Sequence, residues 1–153
     1  MQLIAQTTVA LVSVGSTCTS QVLYNVFLMR VRDLGLGIRV ECETFRAGFD
    51  PCRSLEAARA AFSARNFTID KKCRVYENAF YAGLDRMVVE DQSTLDAARY
   101  LTGGDPGNKL ETLGNAELRW TPEDTEKFFK ETIPLVDAYL RELFPKNERK
   151  DEI

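Results

Sequence analysis

Histidine is absent from this chain, and its absence removes several kinds of chemistry at once. Without an imidazole, no Ser-His-Asp or Cys-His arrangement can form, and no histidine can act as a general acid or base. The cysteines contain no Cys-x-x-Cys pair, so the usual ligand spacing of a zinc site is missing as well. The sequence therefore predicts no metal site and no cofactor.

Positive charge and long apolar runs are also scarce. The formal net charge is −3 and no long basic cluster occurs, which argues against a nucleic-acid partner. No apolar run reaches the roughly 18 to 20 residues that cross a bilayer, so we expect no membrane association. The start of the chain lacks the positive charge of a secretory signal. Residues 150–153, Lys-Asp-Glu-Ile, resemble a retrieval signal of the endoplasmic reticulum, but such an address works only inside the secretory route.

The cysteines are the remaining guide to the compartment. With no secretory signal expected, reduced and mostly buried thiols are the simpler interpretation. This interpretation covers all four of them, Cys18, Cys42, Cys52 and Cys73. The sequence therefore predicts a cytoplasmic protein.

Strand and helix patterns alternate along the chain. β-branched and aliphatic residues predict buried strands at 7–12, 38–42, 86–89 and 110–113. Helical spacing of apolar residues predicts helices at 20–34, 55–65, 93–101 and from 121 onward, with caps at Ser93 and Thr121 and a stop at Gly35. An apolar stripe on the last helix is expected to be core: Phe129, Ile133, Val136, Leu140 and Leu143. This order predicts a single α/β domain with a doubly wound, four-stranded parallel sheet flanked by helices.

The segment after the first predicted strand has the layout of a phosphate-binding loop. An apolar run ends at Ser13, a short polar stretch follows, and a helix pattern begins near Ser20. Backbone N–H groups at a helix N-terminus attract anions. The residues expected to bind an anion in this way are Val14, Gly15, Ser16, Thr17, Cys18, Thr19 and Ser20. The alternative is that the loop, with Gly15 giving it freedom, only makes the turn from strand to helix.

This stretch resembles the signature of low-molecular-weight protein tyrosine phosphatases, in which a strand ends in a cysteine, five residues, an arginine and a serine. Here Ser13 stands at the position of the nucleophilic cysteine, and Thr19 at the position of the arginine. Residues 84–95 and 109–114 are similar to further stretches of that family. The resemblance implies a phosphatase-like domain over 6–145, followed by a charged, flexible tail over 146–153.

The departures from the family pattern predict that catalysis is lost. In the family the thiolate attacks phosphorus, the arginine holds the phosphoryl oxygens, and an aspartate before a proline protonates the leaving group. By this resemblance Thr121, before Pro122, takes the place of that acid. A serine hydroxyl stays protonated without a base, and a threonine offers one neutral donor in place of a charged fork. Cys18 matches a second loop cysteine whose partner is gone, so it is predicted to be a packed thiol.

We therefore predict a catalytically inactive homologue of these phosphatases. Its predicted role is a non-catalytic binding or regulatory module for a phosphorylated or acidic protein partner, or for free phosphate. The alternative is residual or altered tyrosine phosphatase activity that uses Ser13. A third possibility is a protein without a distinct biochemical role.

Overall fold

A computed structural model describes residues 6–15, 17–46, 52–114 and 116–143. Within these ranges one parallel sheet contains the strands β1 (Thr7–Ser13), β2 (Ile38–Thr44), β3 (Arg74–Val75), β4 (Arg86–Val89) and β5 (Leu110–Thr112). Their order across the sheet is β3-β2-β1-β4-β5, with every pair parallel. The predicted parallel α/β fold is confirmed, but the sheet has a fifth strand, because the two-residue β3 is too short for a sequence pattern. The predicted domain limit at 145 and the tail at 146–153 lie outside the described residues.

Helices cover both faces of the sheet. In the described part of the chain they are α1 (Cys18–Leu34), α2 (Arg59–Ser63), α3 (Asn78–Tyr81), α4 (Gln92–Leu101) and α5 (Thr125–Leu143), with a 3-10 helix over Arg53–Ala58 before α2. Gly35 ends α1 with φ of 65°, a left-handed conformation, as the sequence predicts. None of these helices is long and apolar enough to cross a membrane.

Two apolar cores lie on opposite faces of the sheet, and β1 contributes to both. Val9 and Leu11 pack with side chains of α1 and α5, whereas Ala10 and Val12 pack with side chains of β4 and α4. This alternation follows from the two-residue repeat of a strand that is covered on both sides. The predicted stripe on α5 belongs to the first core: Phe129, Val136 and Leu140 are buried, and Ile133 and Leu143 are partly buried.

Two helix starts differ from the prediction, and carboxylates account for both. Asp91 caps α4, since its Oδ1 accepts a hydrogen bond of 2.8 Å from the backbone N–H of Thr94, and Ser93 lies inside the helix. Asp124 accepts a bond of 2.9 Å from the N–H of Lys127, so α5 begins four residues after Thr121. An aspartate is as good an N-cap as serine and better than threonine, and here it stands at the position whose geometry suits the cap.

A buried ion pair explains why β2 runs two residues past its predicted end. The Glu43 side chain is fully buried, and its Oε2 accepts bonds from Arg74 Nε at 2.9 Å and Nη2 at 2.6 Å. Burial raises the pKa of Glu43, and the Arg74 guanidinium opposes that rise. This pair joins β2 to β3, and the guanidinium also stacks on the Phe80 ring. A charged residue inside a strand reads as a strand end in the sequence alone.

Candidate functional site

The candidate site lies where the strand order reverses, between β1 and β4. In doubly wound sheets, the carboxyl ends of the strands at this point open into the crevice that binds ligands. Ser13 is the last residue of β1, and α1 begins at Cys18 after the connecting loop. Glu90 and Asp91 follow the end of β4 directly. The structure therefore brings the loop, a helix N-terminus and two carboxylates to one edge of the sheet.

Ser13 is fully buried at this edge. Its Oγ has no hydrogen-bond partner among the described residues, while its carbonyl accepts a bond of 3.0 Å from the N–H of Phe45. The chain contains no histidine that could take the hydroxyl proton. A serine without a neighbouring base stays protonated and is a weak nucleophile. What Ser13 offers a ligand is one neutral hydrogen bond.

Hydroxyl groups elsewhere in the loop already have hydrogen-bond partners, so fewer of them are available to a ligand than the sequence predicts. The Ser20 hydroxyl donates to the carbonyl of Thr17 at 3.0 Å, and the Thr17 hydroxyl donates to Gln21 Oε1 at 3.3 Å. Gly15 has no left-handed φ, and a Cβ there would meet no atom within 4 Å, so the turn does not require glycine. Ser16 lies outside the described residues. An anion in this loop would therefore meet backbone N–H groups more than hydroxyls.

Thr19, at the arginine position of the resemblance, is buried and already hydrogen-bonded. Its Oγ1 accepts a hydrogen bond of 3.2 Å from the N–H of Trp120, and its hydroxyl contacts the Glu90 carboxylate. Burial raises the pKa of Glu90 and the nearby Asp91 charge adds to the rise, while the Thr19 hydrogen bond and Arg119 oppose it. At the position that the resemblance gives to a phosphate-holding cation, the structure thus has a neutral side chain that already has hydrogen-bond partners.

An acidic cavity of about 340 Å³ opens beside the start of α1. Its lining residues are Cys18, Thr19, Glu90, Asp91, Glu117, Leu118, Arg119 and Trp120. Three carboxylates face one guanidinium there, so the local charge is negative. Carboxylates that line a cavity oppose the binding of an isolated dianion in it.

Thr121, at the acid position of the resemblance, is exposed and lines a neighbouring cavity of about 300 Å³. Its carbonyl accepts a bond of 3.3 Å from the N–H of Asp124, and a threonine cannot donate a proton to a leaving group at neutral pH. Trp120 before it is held in the core, with Nε1 donating to Thr125 Oγ1 at 3.1 Å. These two hydrogen bonds of Trp120 and Thr121 are therefore with residues at the start of α5, and Thr121 supplies no acid.

Cys18 is not a free thiol, which corrects the prediction. It is bonded to Cys52, with an S–S distance of 2.09 Å and a Cα–Cα distance of 4.9 Å. The N–H of Cys52 donates to Gln21 Oε1 at 2.9 Å, and this hydrogen bond also holds Cys52 against the first turns of α1. A separation of 34 residues gives no sequence signal for such a pair. Because disulfides persist mainly in oxidising compartments, this bond weakens the support for a cytoplasmic location, although Cys42 and Cys73 are free thiols in the structure.

Two buried carboxamides that the sequence reasoning missed hold the segment before β3 against α1. Gln21 Nε2 donates to the carbonyl of Lys71 at 3.2 Å, and Asn25 Nδ2 donates to the carbonyl of Asp70 at 3.0 Å. Asn25 Oδ1 also accepts a bond of 2.6 Å from the N–H of Asp70. The available signal was their spacing, since two amide side chains four residues apart share one face of a largely buried helix.

Comparisons with known proteins give the fold a precedent. No family model matches this sequence, and no curated protein matches it. Among solved structures, a low-molecular-weight protein tyrosine phosphatase from T. tengcongensis has a TM-score of 0.73 at 17% identity, covering 90% of this chain and 99% of that one. The corresponding phosphatase from Streptococcus pyogenes has a TM-score of 0.73 at 15% identity, covering 95% and 98%.

A third similar structure is a mutant of the YwlE arginine phosphatase that has a phosphorylated active-site serine. Its TM-score is 0.75 at 14% identity, covering 90% of this chain and 96% of that one. At these identities the likeness concerns the fold. The chain therefore has the single-domain α/β fold of low-molecular-weight protein tyrosine phosphatases, over nearly their whole length.

Proposed function

We propose that this chain is a pseudophosphatase: a protein with the phosphatase fold that binds phosphoryl groups weakly and does not hydrolyse them. The observation that carries the proposal is the environment of Thr19. At the position of the phosphate-holding arginine stands a buried, neutral side chain that bonds to Trp120 and Glu90. Loss of a charged fork at that point removes the interaction that would stabilise the charge of the transition state.

Two further positions support the absence of hydrolysis. Among the described residues no base is hydrogen-bonded to the Ser13 hydroxyl, and Thr121 cannot act as a general acid. Loss of a general acid alone slows a reaction by about 10²- to 10⁴-fold, although such losses need not add. With the nucleophile, the cation and the general acid all replaced, we expect the rate of hydrolysis to fall to the background rate.

The start of α1 supports the retained binding. This helix is 17 residues long and has no acidic side chain of its own in its first turn, so only the carboxylates of the neighbouring cavity oppose the positive end of its dipole. The Ser13 hydroxyl is buried and lacks a partner in the part of the chain that the structure describes, so a ligand oxygen could satisfy it. Such a site binds an oxyanion through hydrogen bonds and the dipole alone, which is a weak arrangement.

The acidic cavity narrows the class of partner. Glu90, Asp91 and Glu117 repel a bare dianion or an acidic peptide. They favour a phosphorylated residue with lysine or arginine next to it, because the flanking positive charge then meets the carboxylates. The proposed partner is therefore a phosphorylated protein segment with basic neighbours, and free phosphate is the weaker ligand.

One observation favours a second candidate function, phosphoryl transfer to Ser13. The YwlE arginine phosphatase mutant carries a phosphoryl group on a serine in its active site. A serine in this fold can thus hold a phosphate ester. If Ser13 accepts phosphoryl groups in the same way, the protein would be a slow phosphatase or a trapped phosphoenzyme.

A hydrolysis assay on the purified chain separates the two functions. With an aryl phosphate as substrate, we expect the unmodified protein and Ser13→Ala to show the same background rate. Intact mass after incubation should show no added phosphoryl group, which would appear as an increase of about 80 Da. Turnover or an adduct that disappears in Ser13→Ala would replace the proposal by the second candidate.

A further inference from the structure

The two cysteines outside the disulfide lie side by side on neighbouring strands. Cys42 is in β2 and is 3% exposed, and Cys73 directly precedes β3 and is partly exposed. Their sulfur atoms are 2.6 Å apart. That separation is only about 0.6 Å longer than a disulfide bond.

The backbone supports this pairing independently of the sulfur positions. The parallel register between β2 and β3 sets Glu43 opposite Arg74 and Thr44 opposite Val75. One step back along both strands, Cys42 stands opposite Cys73. Neighbouring strands lie about 4.8 Å apart, which is within the range of about 4.4 to 6.8 Å that a disulfide spans between Cα atoms. No backbone movement is needed to join the two residues.

We propose that Cys42 and Cys73 form a second, reversible disulfide in this protein. The oxidant is a low-molecular-weight disulfide such as oxidised glutathione. The Cys73 thiolate attacks one sulfur of that disulfide, whose S–S bond breaks and releases one thiolate. Cys42 then attacks the Cys73 sulfur, which forms the bond between the two residues and releases the second thiolate. The two protons from the cysteines pass to the two thiolates that leave, so two thiols are oxidised and one disulfide is reduced.

The surroundings decide which sulfur reacts first. Both cysteines line a surface cavity of about 350 Å³ together with Glu41, Lys72 and Arg74, and the Lys72 ammonium there can attract a carboxylate of glutathione. Cys42 is 3% exposed and Cys73 is partly exposed, so the Cys73 sulfur is the more accessible of the two. The hydrogen bond with Cys73 and burial both raise the pKa of the Cys42 thiol, which disfavours its thiolate until its partner has been modified.

The second disulfide would close the chain between β2 and β3 into a loop. Cys52 lies inside this loop and is already bonded to Cys18 at the start of α1. One bond then closes the loop at its base, and the other ties Cys52 within the loop to the helix beside the candidate site. All four cysteines of the chain would be paired.

Mass spectrometry of the full chain tests the proposal. The protein is equilibrated in a buffer of oxidised and reduced glutathione, then unfolded in urea with iodoacetamide and no reductant. We expect no alkyl groups and a mass about 4 Da below that of the fully reduced chain, since each disulfide removes two hydrogens. Trypsin should release the 40–46 peptide linked to the 73–74 peptide. Alkylation of both Cys42 and Cys73, with Cys18–Cys52 still bonded, would overturn the proposal.

Two single variants test the order of the steps. Cys42→Ser should trap glutathione on Cys73, an adduct of about 305 Da. In Cys73→Ser, buried Cys42 should gain little or no adduct under native conditions. Equal labelling of the two variants would contradict the proposed attack by Cys73. The peptide mapping of the unmodified chain stands whether or not either variant folds.

Discussion

Replacing Ser13 by cysteine and Thr19 by arginine in one chain is expected to tighten the binding of phosphate or vanadate by roughly 10²- to 10⁴-fold. The arginine would add two charge-assisted hydrogen bonds worth about 1.5–3 kcal/mol each, and 1.4 kcal/mol corresponds to tenfold in affinity. The cysteine would ionise more readily than serine beside the α1 N-terminus and would give vanadate a nucleophile. Calorimetric titration of the parent and the double variant measures the difference.

A Glu90→Gln change provides a control for this experiment. Its carboxylate contacts the Thr19 hydroxyl, so an arginine at position 19 could pair with Glu90 instead of the ligand. Adding Glu90→Gln removes that competitor, and the triple variant should bind more tightly than the double one. Ser13→Cys alone should gain little affinity for phosphate, because it adds no cation. If neither the double nor the triple variant binds better than the parent, Ser13 and Thr19 do not occupy the phosphatase positions.

Hydrolysis should require a further change. With Ser13→Cys and Thr19→Arg in place, Thr121→Asp would restore a carboxyl group where the resemblance puts the general acid. We expect little turnover without it, since the leaving group would depart unprotonated.

Removing the Cys18–Cys52 disulfide by a Cys18→Ser/Cys52→Ser change is expected to lower the free energy of unfolding by about 3–4 kcal/mol. The reason is that a cross-link over 34 residues restricts the unfolded chain. For a domain of this size, the loss corresponds to a fall in Tm of roughly 7–15 °C. Urea unfolding followed by tryptophan fluorescence gives the free energy, because the single Trp120 lies in the first core.

A background without the second cysteine pair isolates this effect. In Cys42→Ser/Cys73→Ser, only the Cys18–Cys52 bond is in question. Addition of a reductant should reproduce the loss of stability there and should leave a chain lacking all four cysteines unchanged. A variant as stable as its parent would mean that the bond is absent in solution or that the unfolded chain is already compact around it.

The parts of the fold that sequence reasoning could predict are those set by local pattern. The strand at 86–89 and the end of α1 at Gly35 are found as predicted, because a run of buried apolar residues and a glycine at a left-handed position act within a few residues. The α5 stripe is core for the same reason. These features depend on short-range periodicity, which one sequence carries fully.

The parts that could not be predicted depend on partners far apart in the chain. Glu43 belongs to a buried strand only because Arg74 neutralises it, and Cys18 is oxidised only because the fold brings Cys52 beside it. The two-residue β3 exists through its register with β2. At the candidate site, the resemblance pointed to Ser13, Thr19 and Thr121. The sequence could not show that the Thr19 hydroxyl contacts Glu90 and the N–H of Trp120.

We propose that the loop after β1 still binds phosphoryl groups, with a preference set by the acidic cavity beside it. An amide NMR titration of the unmodified protein tests this with two phosphotyrosine peptides, one flanked by arginines and one by glutamates. We expect saturable shifts in the backbone signals of residues 14–20, with tighter binding of the basic peptide and a smaller difference between the two peptides in Glu90→Gln. No shifts in that loop with either peptide, at concentrations up to those where weak anion sites fill, would contradict it.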